Sequence, residues 1–399
     1  MSDPFSDIRP YRDEEVAPVL DTLLSSAEFL DALGSWRLGR LAGFAPGLVR
    51  PVVRRQLRKE VHGVTDVRTM QLVIERYMDR MIEKSTAGFS VSGLDALDPA
   101  QANLYISNHR DITMDPAFTN YALHQQGRDT VRIAIGDNLL TKPWVSDLMR
   151  LNKSFIVKRS VSGPRELLAA SKTLSKYIRH SIQEERAPVW IAQREGRAKD
   201  GVDKTEPVII KMLSMSRDKK SEKFDEHISS LNIVPVAISY ELDPCDAMKA
   251  QELYQLVEQG SYAKTEHEDV ASIARGIAGD KGRVHVSFGS PLRAAAGNEL
   301  DSHVASQLET PDAVATEIDR QVLDLYCLHP TNLYAYRRLH GREAQLPDDV
   351  FVEEGVCDEA EFNARIDAMP EAHRPYALAI YANSVVSKLE RAIAQSASC

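Results

Sequence analysis

The chain has 399 residues, of which 43% are hydrophobic and 27% are charged. This composition is typical of a folded globular protein, and the length is enough for two or three packed units. The formal net charge of −9 argues against general nucleic-acid binding, because that function needs a basic surface to neutralise phosphates.

Helical periodicity dominates the first 87 residues. Apolar side chains recur at helical spacing from Glu14 to Leu33, and the same pattern returns from Val67 to Ile82. We therefore expect an N-terminal helical domain over residues 1–87.

A basic segment, residues 36–59, lies inside this region. It contains no acidic residue, and apolar side chains are interleaved with its cations. The cations are Arg37, Arg40, Arg50, Arg54, Arg55, Arg58 and Lys59. Three interpretations fit: a helical hairpin that packs its apolar face on the domain that follows, an interfacial patch for an anionic membrane surface, or a dock for an acidic protein.

The pattern changes at Phe89 to short apolar runs separated by helical stretches. The runs are 104–106, 131–135, 155–157, 188–192, 233–239 and 284–288. This alternation predicts an α/β domain over residues 88–340, with a mixed, mostly parallel sheet flanked by helices.

Helical patterns return near the C-terminus. Residues 311–336 predict one amphipathic helix, and residues 358–397 predict two more. The last helices belong to an acidic C-terminal helical extension, which we place at residues 341–399.

The cysteine spacing and the N-terminal sequence indicate the cellular compartment in which we expect the protein. The four cysteines lie far apart without a C-x-x-C pair, and no basic-apolar signal sequence is present. We therefore expect a cytoplasmic protein without a cysteine metal site. No run of about 18 apolar residues exists, so membrane contact would be peripheral, on the cytoplasmic face.

The first candidate functional residue is His109, which follows the run 104–106 at a predicted strand-to-helix junction. Open α/β sheets bind ligands there, and histidine is suited to proton transfer near neutral pH, although a structural histidine is the alternative. Asp115 and Pro116 form a helix-start signature, in which Asp115 would be an N-cap. The same carboxylate could also accept a hydrogen bond from His109 and orient it as a general base.

Two other classes of catalytic site do not fit. No G-x-S-x-G nucleophile motif occurs, so we expect the substrate's own hydroxyl to be the nucleophile. His-Arg-Asp at 109–111 is also part of the protein-kinase signature. However, Pro116 occupies the position of the required Asn, and no glycine-rich loop is present.

Cations follow two further predicted strands. The run 155–157 ends in two cations, and the run 188–192 leads into a glycine-containing basic turn. The cations are Lys158, Arg159, Arg197 and Lys199, and the basic turn also contains Glu195 and Gly196. Cations gathered at the carboxyl edge of a sheet would form an anion site suited to phosphate, and solvated surface charge is the alternative.

Together these motifs resemble, in their order, the four motifs of the glycerophospholipid acyltransferase superfamily. They are Ser-Asn-His-Arg at 107–110 with Asp115 and Pro116, the strand ending in Lys158 and Arg159, Glu-Gly-Arg at 195–197, and Val-Pro-Val-Ala-Ile-Ser-Tyr-Glu at 234–241. Over residues 88–330 the chain looks most like the glycerol-3-phosphate acyltransferases. Residues 261–264 and 286–292 are similar to their bacterial membrane-associated branch, and the helical N-terminal region is similar to the plastid stromal enzymes.

The resemblance implies a role for each matching residue. His109 would deprotonate the acceptor hydroxyl, and Asp115 would orient the imidazole. The cations implied to hold the acceptor phosphate are Lys158, Arg159, Arg197 and Lys199, and Glu195 and Gly196 would shape the acceptor site. One feature departs from the family: its motif is His-x4-Asp, whereas five residues separate His109 from Asp115, and Asp111 is the only other carboxylate nearby.

The activity implied is transfer of a fatty acyl group from a thioester of acyl carrier protein or coenzyme A to the hydroxyl of glycerol 3-phosphate or lysophosphatidate, in phospholipid biosynthesis. No cofactor, metal or covalent acyl-enzyme is expected. An acyl carrier protein would be the acidic partner for residues 36–59. A thioesterase with water as acceptor stays open. So does a non-catalytic membrane or carrier-protein binding relative, which the lengthened motif would favour.

Overall fold

The protein is described by a computed structural model over residues 3–38, 46–265, 268–293, 308–348 and 350–398. Part of the basic segment, residues 39–45, lies outside these ranges. The chain divides into two compact units: residues 1–79 with 131–173, and residues 80–130 with 174–399. The domain boundaries expected after residues 87 and 340 stay predictions.

Strands and helices are numbered here in chain order. The strands are β1 Gly88–Ser92, β2 Leu104–Ser107, β3 Arg132–Gly136, β4 Ser154–Val157, β5 Val189–Ala192, β6 Ile233–Tyr240 and β7 Arg283–Phe288. The helices up to β6 are α1 Asp13–Ser25, α2 Ala27–Leu38, α3 Pro46–Glu60, α4 Val67–Ser85, α5 Met114–Gln125, α6 Pro143–Leu151, α7 Pro164–Gln183, α8 Pro207–Leu213 and α9 Phe224–Ser230. The later helices are α10 Asp246–Gln259, α11 Glu268–Ala278, α12 Pro311–Leu325, α13 Pro330–His340, α14 Glu359–Asp367 and α15 Arg374–Ser398.

The first unit is mainly helical and has its own apolar core. Buried side chains of α1 and α2 pack with Val53 and Leu57 of α3 and with Leu151 at the end of α6. The same unit contains the parallel pair β3 and β4. The single periodic stretch predicted from Glu14 to Leu33 is two helices, because the backbone of Ser26 is extended and ends α1.

The second unit contributes five strands in the order β1-β7-β6-β2-β5. β2 pairs in parallel with both β5 and β6, β1 pairs in parallel with β7, and β6 and β7 are antiparallel. All eight residues of β6 are buried, as expected for a central strand covered on both faces. The predicted mixed, mostly parallel sheet flanked by helices is therefore confirmed.

Both terminal regions are helical, as predicted. The two helices expected over residues 358–397 are α14 and α15. The single helix expected over residues 311–336 is wrong, because the chain turns extended at Tyr326 and Pro330 begins a second helix. Within the described ranges, no helix combines the length and apolar character needed to cross a bilayer.

Glu241, directly after β6, ties the C-terminal extension to the sheet. Its Oε1 accepts hydrogen bonds from the backbone N–H groups of Val356 and Cys357, at 2.7 and 2.8 Å. Its Oε2 accepts from the N–H of Arg283 in β7, at 2.8 Å. The side chain is fully buried, so these three donors are the compensation for its lost hydration.

Glu241→Ala should lower the free energy of unfolding by about 2–4 kcal/mol, because three backbone donors lose their acceptor. Urea denaturation measures this change. Glu354→Ala, at an exposed neighbouring position, should change the same quantity by less than about 0.5 kcal/mol. Equal stability of the two variants would contradict the structural role assigned to Glu241.

Candidate active site

The site begins where β2 ends. Asn108, the next residue, is fully buried, and its side chain bonds to the backbone of Ile238 in β6. Its Nδ2 donates to the Ile238 carbonyl at 3.0 Å, and its Oδ1 accepts from the Ile238 N–H at 2.8 Å. Asn108 therefore continues the pairing of β2 with β6 through its side chain and fixes the position from which the chain turns at His109.

His109 and Asp115 are in direct contact. The distance between His109 Nδ1 and Asp115 Oδ2 is 2.9 Å, the imidazole is 13% exposed, and the carboxylate is fully buried. Among the described residues, His109 Nε2 has no hydrogen-bond partner. This arrangement suits a general base, because the carboxylate holds one ring nitrogen and leaves the other for a substrate proton.

Asp115 receives three further hydrogen bonds. The backbone N–H groups of Arg110 and Asp111 donate to its Oδ2 at 2.7 and 3.0 Å, and the Tyr240 hydroxyl donates to its Oδ1 at 2.7 Å. Four donors thus stabilise one buried carboxylate, which fixes its orientation towards His109.

The five residues between His109 and Asp115 form a turn, and the Asp111 side chain caps the start of α5 at the end of this turn. Its Oδ1 accepts from the N–H groups of Thr113 and Met114, at 2.9 and 2.8 Å, where α5 begins. The N-cap interpretation of Asp115 is wrong, because Asp115 lies in the first turn of α5 and Asp111 supplies the capping oxygen. The two nearby carboxylates therefore have different tasks: one caps the helix and the other contacts the histidine.

Arg110 is an anchor and is almost fully buried. Its guanidinium bonds Asp203 through Nε at 3.1 Å and Nη2 at 2.6 Å, and also reaches the Gly201 carbonyl and the Ser384 hydroxyl of α15. Its own carbonyl accepts from Lys249 Nζ at 2.7 Å. These contacts hold the turn after His109 from both sides.

The turn of the third motif lies beside His109. The Ala198 N–H donates to the His109 carbonyl at 2.7 Å, and Arg197 and Lys199 flank Ala198 in the sequence. Trp190 of β5 packs edge-on against the imidazole, with ring centroids 6.1 Å apart. The structure thus brings the first and third motifs together.

Both cations of this turn have protein partners. Arg197 is buried and donates from Nη1 to the Ser272 hydroxyl at 2.5 Å, while Lys199 forms an ion pair with Glu252. Glu195 and Gly196 are exposed at the tip of the turn. Gly196 has a φ of 72°, a left-handed conformation that favours glycine. The phosphate-binding roles of these residues stay predictions.

Lys158 and Arg159 belong to the first unit, at the carboxyl end of β4. Lys158 forms an ion pair with Asp7, and the backbone N–H of Arg159 donates to Asp137 Oδ1 at 3.1 Å. The Asp137 carboxylate also accepts from the Ser160 N–H, and these hydrogen bonds lower its pKa against the opposing effect of burial. The proposed contact of both cations with a phosphate stays a prediction.

Sequence reasoning missed Tyr240, the last residue of β6. Its ring is buried, and burial together with the neighbouring charge of Asp115 raises the pKa of its hydroxyl well above the usual value. The phenol therefore stays protonated as a donor to Asp115. The only signal in the sequence was its place within the fourth motif, which gave no indication of its partner.

Two buried carboxyl groups near the turn after His109, Asp111 and Asp243, have pKa values shifted in opposite directions. Burial, and then the charge of Asp115, raise the pKa of Asp111 above its usual value. Burial alone would also raise the pKa of Asp243, but the adjacent Lys249 ammonium lowers it below the usual value. No group of three or more His, Cys, Asp or Glu side chains in the described part of the chain is arranged to hold a metal ion.

Comparison with known proteins gives a match in the central region. Residues 88–239 match the family model described as Acyltransferase, which agrees with the motif resemblance over this part of the chain. No curated protein matches the chain. Among solved structures, one match is the 1-acyl-sn-glycerophosphate (LPA) acyltransferase PlsC from Thermotoga maritima, at 14% identity and a TM-score of 0.33, covering 72% of this chain and 95% of that one.

Tyr240→Phe should lower kcat by about 10- to 100-fold, because Asp115 loses one hydrogen bond to its charge, worth roughly 1.5–3 kcal/mol. KM should stay within about twofold, since the phenol is buried and donates to Asp115. The control is Tyr105→Phe in β2, which removes another buried hydroxyl, one that accepts a hydrogen bond from the Asn103 side chain. An unchanged kcat in Tyr240→Phe, or an equal fall in both variants, would show that Tyr240 does not position the pair.

Proposed function

We propose that this protein is an acyltransferase that moves a fatty acyl group from a thioester, carried by acyl carrier protein or coenzyme A, to the hydroxyl of glycerol 3-phosphate or lysophosphatidate. The observation that carries the proposal is the contact of His109 with a buried Asp115 beside the basic turn that contains Arg197 and Lys199. A base after β2 and cations after the neighbouring parallel strand β5 match an acceptor that has both a hydroxyl and a phosphate.

The proton follows a short path in this reaction. His109 Nε2 takes the acceptor hydroxyl proton while Nδ1–H donates to Asp115, which stabilises the imidazolium that forms. The acceptor oxygen forms a bond to the thioester carbonyl carbon, and the tetrahedral intermediate collapses by breaking the C–S bond. The imidazolium then returns its proton to the leaving thiolate. Neither a metal nor a covalent acyl-enzyme takes part in these steps.

From the resemblance of the motifs, we also propose that cations of the second and third motifs hold the phosphate of the acceptor. Lys199 and Lys158 are each paired with a carboxylate, so a phosphate would compete with Glu252 and Asp7 for them. Arginine can hold phosphate with two parallel hydrogen bonds, which favours Arg159 and Arg197 as the orienting residues.

The geometry favours catalysis over a purely binding role. A relative that had lost activity would have no need to keep a base and its orienting carboxylate at 2.9 Å with three additional donors on the carboxylate. The longer His-x5-Asp spacing is accommodated by the Asp111 cap, and both ends of the pair still meet.

His109→Ala should abolish acyl transfer, and Asp115→Asn should lower kcat by about 10²–10⁴-fold, since the imidazole loses its orienting charge. Asp111→Asn is the matched control, because an amide oxygen can still cap α5 and this side chain does not contact His109. Acylated product is measured with carrier-protein and coenzyme A thioesters against both acceptors, and circular dichroism checks the fold.

Wild-type turnover in His109→Ala would refute this mechanism. Free fatty acid measured with and without acceptor separates transfer from hydrolysis. Equal fatty-acid release in both conditions, with no acylated acceptor, would identify a thioesterase and refute the transferase.

Arg159→Gln should raise KM for a phosphorylated acceptor by about 10- to 100-fold with little change in kcat, because a charged hydrogen bond to the phosphate is lost. The control is Arg165→Gln, an exposed arginine at the start of α7. Glycerol, which has the hydroxyls but no phosphate, should be acylated equally slowly by wild type and Arg159→Gln. An unchanged KM for glycerol 3-phosphate would remove Arg159 from the site.

A further inference from the structure

Helix α3 of the first unit has two contrasting faces. On one face Val53 and Leu57 are 2% and 9% exposed and pack into the core with α1 and α2. On the opposite face Leu48 and Val52, one turn apart, are 77% and 62% exposed. Single exposed apolar residues are common, but two on one stripe of an amphipathic helix indicate a surface that contacts something apolar.

The same exposed stripe continues into a cluster of cations towards the end of α3. A depression of about 650 Å³ is lined by Pro51, Arg54, Arg55, Arg58, Lys59 and His62. Arg55 and Lys59 follow Leu48 and Val52 at the next helical turns, so apolar and cationic side chains share one face. We call Leu48, Val52, Arg55, Arg58 and Lys59 the α3 stripe.

The charge of the α3 stripe is not neutralised by the protein. Within the described ranges, none of Arg55, Arg58 and Lys59 forms an ion pair, whereas Arg50, on the flank of the same helix, pairs with Asp31. The whole chain has a formal net charge of −9, so these unpaired cations form a local exception to an acidic protein. An exposed, unneutralised cluster of this kind attracts an anionic partner.

We propose that the α3 stripe binds the surface of an anionic lipid bilayer, with Leu48 and Val52 entering the headgroup boundary and the three cations contacting lipid phosphates. Interfacial helices combine these two features, and a purely electrostatic partner would not need the exposed apolar pair. The inference rests on the proposed function in one respect: an acylated glycerol phosphate is amphiphilic and needs a bilayer to receive it. A single apolar pair gives weak, reversible binding.

The test is co-sedimentation of the full-length protein with vesicles of phosphatidylcholine alone or mixed with phosphatidylglycerol. Wild type should bind the mixed vesicles, with affinity that falls as salt rises, and should not bind phosphatidylcholine alone. Each basic residue near an anionic surface contributes about 1 kcal/mol, so Arg55→Gln with Lys59→Gln should reduce partitioning about 30-fold. Leu48→Gln with Val52→Gln should weaken binding at high salt as well as at low salt.

Two control variants match these changes elsewhere on the surface. Lys219→Gln with Lys220→Gln removes the same charge from an exposed loop, and Leu256→Gln with Val257→Gln removes a similar exposed apolar pair from α10. Neither control should alter partitioning by more than about twofold. If the α3 variants bind vesicles as wild type does, or if phosphatidylcholine binds equally well, the inference is overturned.

The remaining outcomes separate this inference from the proposed function. Acyl transfer from coenzyme A to glycerol 3-phosphate without vesicles should be equal in wild type and the α3 variants. Absence of turnover in wild type would count against the proposed function and leave the vesicle result standing. Binding of an acidic carrier protein that is lost in the Arg55 and Lys59 variant, with no vesicle binding by wild type, would replace the bilayer by a protein partner.

Discussion

The buried carboxylate of Asp115 is the constraint on which the candidate site depends. A charged oxygen removed from water is stable only where donors replace its hydration, and here those donors come from the turn after β2, from the imidazole and from β6. The sheet brings β2 and β6 together, so the same pairing that builds the core also delivers the Tyr240 hydroxyl. Fold and site are consequently parts of one hydrogen-bonded arrangement.

A second layer of charge holds this arrangement in place. The Arg110 guanidinium and the Lys249 ammonium lie close to the histidine, yet neither is available to a ligand: Asp203 holds one, and Asp243 together with a backbone carbonyl holds the other. Such buried pairs are costly to break because each would leave an uncompensated charge. Cations near the histidine therefore include anchors as well as candidate ligands.

Local periodicity was enough to predict six of the seven strands in the described residues, and the junction after β2 was enough to predict the pair His109 and Asp115. Strand β1, Gly88–Ser92, was missed because its sequence contains no continuous apolar run. The breaks at Ser26 and Pro330 were missed because apolar periodicity continues across them and only the backbone changes. Tyr240 was missed for a different reason: it lies 125 positions from Asp115. The pattern of β6 predicts burial but not which group a buried hydroxyl meets, and contacts of that kind depend on topology.

The link from Arg110 to Ser384 in the last helix, α15, bears on the order of events during synthesis. The same helix also reaches the loop before Asp203, where the Asn383 side chain donates to the Asp200 carbonyl. A nascent chain can form β2 and the histidine turn long before residues 374–398 have left the ribosome. The turn then lacks part of its anchorage until α15 has been synthesised, so a chain interrupted before α15 would retain every motif residue while its histidine turn remained incompletely secured.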